Sequence, residues 1–218
     1  MSTSKTGAGQ TTASKSGPGK KGTTKAGPRH TPLGEIRIIG GQWKRTKLSV
    51  PDQPGLRPTP DRVRETLFNW LGQDLQGWRC VDAFAGTGAL GWEAASRGAA
   101  RVVMLEQNAE LIGRLQATQT QLQAGTVAIQ RGDALAWLSR QMPASADLVF
   151  LDPPFEAPVF EEALRASRKI LRAGGWIYLE APHHWDASAL ADLGLKEHRY
   201  MKAGAVHAHL LQVMENEA

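Results

Sequence analysis

Residues 80–95 read CVDAFAGTGALGWEAA. A short apolar run ends in an acid, Asp82, and three glycines, Gly86, Gly88 and Gly91, then open a segment of helix-forming residues. This is the pattern of a strand that turns sharply into a helix, where glycine lets the backbone approach a ligand with no Cβ in the way. The glycines satisfy G-x-G-x-x-G, and Glu106 falls near the distance of an acid that holds a ribose. By spacing alone the loop suits a nicotinamide dinucleotide. Asp82 argues otherwise, because a carboxylate at the strand tip repels a pyrophosphate and attracts a cationic or amine-bearing ligand. S-adenosyl-L-methionine has a sulfonium, an amino group and a ribose but no phosphate, so acids at Asp82 and Glu106 complement it. Asp133, in QRGDALAWL, follows a later strand, where it can accept from an adenine amine, cap the next helix, or do both.

Outward from this loop the chain alternates. Strands are predicted near 79–84, 101–106, 126–131, 147–152 and 175–180, with helices near 89–97, 108–122, 133–141 and 158–172. Such alternation, with connections long enough for crossovers, predicts an α/β fold whose mostly parallel sheet is covered by helices. LKEHRYMKAG and VHAHLLQVM add two strands joined by a short glycine turn, a C-terminal antiparallel hairpin that brings the sheet to seven strands. His207 and His209 alternate along the last strand and read as surface or edge positions, and His183 with His184 as a loop pair.

The fourth strand of the series ends unusually, in DLVFLDPPF, residues 147–155. Leu148 to Leu151 have the composition of a strand buried on both faces. Two prolines cannot extend the ladder, so the segment after Asp152 is stiff and leaves the sheet. In an open parallel sheet ligands bind beyond the carboxyl ends of the strands, near the point where strand order reverses. Asp152 and the Pro153 carbonyl there can accept hydrogens from a nucleobase amine and orient its lone pair for attack. Pro154 restricts Pro153, and Phe155 offers a stacking face for the base. A paired base cannot reach such a pocket, so the target is unpaired or flipped out.

Upstream, EIRIIGGQWKRTKLSV, residues 35–50, predicts a pair of short strands around Ile36–Ile39 and Lys47–Val50, with Arg37, Lys44, Arg45 and Lys47 among its polar positions. A solvated edge strand often carries lysine, and a cationic face holding Trp43 also suits RNA. GLRPTPDRVRETLFNWL, residues 55–71, predicts a helix with Thr59 as N-cap and Pro60 at its first position. Val63, Leu67, Trp70 and Leu71 share its inward face, while Arg57, Arg62 and Arg64 precede or border the other.

Of 26 basic residues six lie in residues 1–30 with no acid, so the remaining 20 meet 21 acids and the rest of the chain is near neutral. Residues 1–33 read as a disordered basic tail of Ser, Thr, Gly, Lys and Pro, a solvating leader or a non-specific attraction for phosphates. Residues 34–72 form a hairpin-and-helix extension and 73–218 the main domain. A single cysteine, Cys80, leaves no disulfide framework and no zinc cluster of paired cysteines, and fits a reducing, cytoplasmic setting. No apolar run spans a bilayer and no secretory signal is apparent.

DAFAGTGALGWEAASRGA and DLVFLDPPF, preceded by RIIGGQWKRTKL and PGLRPTPDRVRETLFNWL, closely resemble the RsmD family, bacterial methyltransferases that modify the N2 amine of a guanine in 16S ribosomal RNA. The resemblance runs from about residue 34 to the C-terminus. D-P-P-[FY] alone is shared by many amino methyltransferases, and the two N-terminal stretches carry the substrate assignment. What the resemblance implies is a Rossmann-like class I methyltransferase that uses S-adenosyl-L-methionine and no metal, acts as a monomer, and meets 16S rRNA in a precursor of the small ribosomal subunit. It implies a donor loop of Asp82, Phe84, Ala85, Gly86, Thr87 and Gly88, with Glu106 on the ribose and Asp133 and Ala134 at the adenine. Asp152, Pro153, Pro154 and Phe155 handle the guanine amine, and Arg37, Lys44, Arg45, Arg57 and Arg62 face RNA phosphates. The fourth motif position is commonly tyrosine in the family, so Phe155 keeps the stacking face and lacks the hydroxyl.

Three competing readings remain at this level. An adenine-N6 DNA methyltransferase would use the same acid and prolines, although no separate sequence-reading domain is evident. An inert nucleic-acid-binding module is opposed by the intact Asp82, Glu106 and Asp152. A dehydrogenase is the third.

Overall fold

Strand β6, Ala146–Leu151, is buried at every residue, as expected of a strand flanked on both edges and covered on both faces. A computed structural model describes residues 34–51 and 59–214. The basic tail and Arg57 lie outside the described residues. Before the sheet come β1 (Gly34–Arg37), β2 (Lys47–Val50) and α1 (Asp61–Trp70); within it come β3 (Arg79–Asp82), α2 (Ala89–Ser96), β4 (Arg101–Glu106), α3 (Ala109–Leu122), β5 (Val127–Arg131) and α4 (Ala134–Leu138). After β6 follow α5 (Phe160–Ile170), β7 (Leu171–Ala181), α6 (Ala187–Asp192), β8 (Leu195–Ala203) and β9 (Val206–Val213).

The seven strands run in the order β5-β4-β3-β6-β7-β9-β8. Contacts from β5 through β7 are parallel, whereas β9 runs antiparallel to both β7 and β8. This is the doubly wound sheet with a terminal hairpin that the alternation predicted. β3 and β6 are neighbours, with Val81 opposite Val149. They bracket the reversal of strand order, so a ligand crevice is expected beyond Asp82 and Leu151. Among the described residues no helix is long and apolar enough to cross a membrane.

One face of the sheet packs under α1 and α2. Phe68 meets Phe150 at 6.1 Å between ring centroids, and Phe150 meets Tyr178 edge-on at 6.4 Å. The other face packs under α4, α5 and α6 through Leu138, Leu164, Ile170 and Leu190. Helix α5 has the clearest division of faces: Ala163, Leu164, Ser167 and Ile170 are buried, and Glu161 pairs with Arg165 outside.

Three expectations at α1 are corrected. Phe68 takes the inward position assigned to Trp70, which is half-buried. Pro60, not Thr59, stands at the N-cap, and the Thr59 hydroxyl donates instead to Glu180 Oε1 at 2.8 Å. Arg64, read as bordering the polar face, is wholly buried. Its guanidinium finds acceptors in the carbonyls of Arg37 (2.9 Å) and Thr59 (3.2 Å), the carboxylate of Asp61 and Glu93 Oε2 (3.5 Å). A buried charge is tolerated on these terms and on few others.

The β1–β2 hairpin is held to α2 by the same network. Glu93, wholly buried, accepts from the backbone N–H groups of Ile39 and Gly40 at 2.8 Å each and from Arg97 Nη2 at 2.7 Å. Ser96 Oγ accepts from the Trp43 N–H and donates to the Gly40 carbonyl. Gly41 has φ +72°, and a Cβ there would lie 1.8 Å from the Ser96 carbonyl oxygen, so only glycine permits this approach.

Candidate active site

Four adjacent strands each carry an acid at or beside their carboxyl end: β3 at Asp82, β4 at Glu106, β6 just before Asp152 and β7 at its penultimate residue, Glu180. Their carboxyl ends open into a cleft of about 830 Å³. Those four acids line it together with Asp133 and Glu156, and among the described residues no lysine, arginine or histidine does. A wall of acids without a base disfavours a dinucleotide pyrophosphate and suits a cation, so the residues present fit a sulfonium and an ammonium group.

The glycine loop gains its shape from these acids. Asp82 Oδ2 accepts from the Gly91 N–H at 2.9 Å, across the first turn of α2. Glu106 Oε2 accepts from the Gly86 N–H at 2.9 Å, and its Oε1 from the N–H groups of Gln107 and Asn108 at 2.8 Å each. Gly88 has φ +78° and is buried; a Cβ on it would fall 2.5 Å from Trp92 Nε1. It shapes the loop from beneath and does not line the cleft, whereas Phe84, Ala85, Gly86 and Thr87 do. Asp133 caps α4, accepting from Ala136 N–H at 2.8 Å, and its other oxygen accepts from Gln107 Nε2 at 3.1 Å. Ala134 is beside it in the wall.

Asp152 leaves the sheet where β6 ends, with Pro153 buried, Pro154 exposed and Phe155 half-buried. All four residues border the cleft. The Pro154 carbonyl accepts from Ala157 N–H at 2.9 Å, which turns the chain over the opening.

The two acids of β6 contrast sharply. Asp147, at the entry to the strand, is held below the usual carboxylate range: burial raises its pKa, but the Arg79 N–H and the Arg172 and Arg79 side chains prevail. Asp152, at the exit, is pushed well above that range by burial and by the charges of Glu180 and Asp82. Asp82 is pushed up to about 7 by burial, opposed by the Gly91 hydrogen bond and aided by Glu106. Clustered carboxyls with raised pKa values in a cleft mark a functional site.

Glu180 was not singled out from the sequence, and Thr59 was read only as a helix cap. Glu180 is buried, its Oε1 accepting from Tyr178 OH at 2.9 Å as well as from Thr59. Its signal was an acid in an apolar strand, IYLEAP, as in β6 but without the two prolines. The basic positions Arg37, Lys44, Arg45 and Arg62 are exposed on the hairpin and α1, and none lines the cleft.

The profile of a family described as conserved hypothetical protein 95 matches residues 36–212. Ribosomal RNA small subunit methyltransferase D of Escherichia coli K12 is 45% identical over 154 residues, covering 71% of this chain and 75% of that protein. The chain belongs to this family, the RsmD family. A second RsmD-family relative, the protein of the same name from Haemophilus influenzae, is 36% identical over 179 residues, covering 76% of this chain and 93% of its own. The solved structure described as "Putative methyltransferase yhhF from Escherichia coli" superposes with a TM-score of 0.71 at 37% identity, covering 83% of this chain and 99% of that one. The RsmD-family match takes in the hairpin and α1 as well as the sheet.

Proposed function

We propose that this protein transfers a methyl group from S-adenosyl-L-methionine to the exocyclic N2 amine of a guanine in bacterial 16S rRNA, within a small-subunit assembly particle. The observation that carries the reading is the meeting of two elements in one cleft: the acid-braced glycine loop and the Asp152–Phe155 tetrapeptide. The relatives named as small subunit rRNA methyltransferases support the rRNA substrate.

When bound, the donor supplies an electrophilic methyl group on a sulfonium. Asp82 and the loop from Phe84 to Thr87, shaped from beneath by Gly88, would hold it, Glu106 would take the ribose hydroxyls, and Asp133 and Ala134 would meet the adenine. Asp152 and the Pro153 carbonyl accept the two hydrogens of the target amine, which turns its lone pair outward and stabilises the charge that develops on nitrogen. Phe155 stacks on the base. Guanine is favoured over adenine because its edge offers three adjacent donors, N1–H and the N2 amine, to two neighbouring carboxylates, Asp152 and Glu180. Adenine would turn the N1 lone pair toward that negative charge. Arg37, Lys44, Arg45 and Arg62 bind phosphates of the surrounding RNA.

The test is tritiated methyl transfer to small-subunit particles from cells lacking this protein, with the labelled base mapped. Label at one guanine N2 is expected; label on adenine or on DNA would overturn the substrate.

A further inference from the structure

Outside the cleft, three elements bring unusual side chains together at the C-terminal hairpin. Glu197 Oε2 is 2.7 Å from His209 Nδ1 and 3.1 Å from His184 Nε2. His209 lies on β9 and is wholly buried, which corrects its reading as a surface or edge position; Glu197 lies on β8 and His184 in the loop after β7. The register of β8 against β9 slips between Glu197 and Arg199, so that Glu197 faces Leu211 and Tyr200 faces His209. Residues three apart in a regular strand point to opposite faces. This bulge brings Glu197 onto the face of His209 and Tyr200, the kind of re-aiming for which bulges are used. Tyr200 meets His184 edge-on at 4.4 Å between ring centroids and His209 at a tilt at 5.2 Å, and its hydroxyl bonds His207 Nδ1 at 2.8 Å.

We propose that His184 Nε2, Glu197 Oε2 and His209 Nδ1 form a binding site for a divalent transition metal of the zinc class. The three ligand atoms lie within 4.8 Å of one another. A tetrahedral zinc ion with bonds of about 2.0–2.1 Å needs its ligands roughly 3.4 Å apart, so the His209–Glu197 distance opens by about 0.7 Å and the His184–Glu197 distance by about 0.3 Å. Two imidazoles and one carboxylate suit zinc, cobalt or nickel better than calcium or magnesium. His209 supplies an independent sign. Its Nε2 is buried without a hydrogen bond, while the His183 backbone lies beside the ring. Ligation through Nδ1 requires the proton on Nε2, where it can donate to that backbone, the usual outer contact of a metal-bound histidine. A bound ion cross-links the loop after β7 to both strands of the hairpin, whose Val206 lines the cleft.

The test uses the full-length, tag-free chain stripped with chelator and titrated with Co2+, whose visible absorption reports tetrahedral nitrogen and oxygen ligation. Saturation at one equivalent is expected, with bleaching by Zn2+ and a Zn2+-dependent rise in melting temperature. His184→Ala and Glu197→Gln, at sites that are not wholly buried, should weaken Co2+ binding by more than the 10–100-fold typical of an outer-shell partner. His198→Ala, whose ring instead meets Trp176 at 5.0 Å, should leave the spectrum unchanged. Absence of a saturable band, or a band that survives His184→Ala and Glu197→Gln, overturns the site. Donor binding is independent of this outcome, because none of the three ligands lines the cleft.

Discussion

The carboxylate of Asp82 accepts the N–H of Gly91 at 2.9 Å, so the end of β3 and the first turn of α2 are joined through one buried acid. Burial raises the Asp82 pKa to about 7 from an ordinary 3.8. The folded chain therefore holds this proton over a range where the unfolded chain has lost it. Stability from this group is complete below about pH 4 and declines as pH rises toward 7. Asp82→Asn keeps an acceptor for Gly91 and removes the charge. It should stabilise the ligand-free protein at pH 8 by on the order of 1–4 kcal/mol and so raise its melting temperature, with the gap closing toward pH 4. The same variant should bind S-adenosyl-L-methionine more weakly in calorimetry; unchanged affinity would remove the proposed electrostatic role.

At Asp152 the raised pKa sets the pH dependence of turnover. A protonated carboxyl no longer accepts the amine hydrogen as an anion, so activity should fall as pH drops through a value well above the ordinary 3.8. Asp152→Ala should lower kcat by roughly 10²–10³-fold or more with donor affinity nearly unchanged. Single-turnover rates and calorimetry separate the two effects. A variant that keeps most of its turnover would show that the carboxylate is not the amine acceptor.

Phe155 is predicted to act through its ring face. Phe155→Tyr should keep RNA affinity, whereas Phe155→Ala should lose about 1–3 kcal/mol of base stacking, a roughly 5–150-fold rise in KM for the particle. Equal losses in both variants would point to packing of the loop.

Glu93 carries the attachment of the hairpin. Glu93→Ala leaves the guanidinium of Arg97 without its main acceptor and two backbone N–H groups unpaired. Denaturant unfolding should register a loss of about 3–5 kcal/mol. A loss below about 1 kcal/mol would mean the network adds little beyond packing.

Exposed Lys44 and Arg45 test the RNA face. Replacing both by glutamate should weaken particle binding most at low salt and flatten the dependence of log K on log salt, while donor binding is unaffected. An unaltered salt slope would place the RNA elsewhere.

The sheet was legible because β3, β4 and β6 are apolar runs of buried length and helices α3 and α5 have periodic faces, and because Gly86–Gly91 and Asp152–Phe155 punctuate two neighbouring strand ends. Their meeting in one cleft follows from topology alone. Long-range partners were not legible. Arg64 occupies a helix position that reads as polar, and its burial draws on the Arg37 carbonyl and Glu93, 27 and 29 residues away, besides the nearby Thr59 carbonyl and Asp61. Thr59 has the chemistry of a cap, yet its hydroxyl is taken by Glu180, 121 residues on. His209 alternates like a surface residue, and its carboxylate partner arrives through a bulge that no local pattern announces.

The anchoring of the hairpin bears on chimeras. A segment from residue 34 to 50 grafted from a relative would arrive without Arg64, Glu93, Ser96 and Arg97, which belong to α1, α2 and the residue just after it. Its backbone would then depend on whatever acceptors and donors the recipient chain presents at those positions. Exchanging substrate preference between homologues thus requires moving these four positions as one block with the loop they grip.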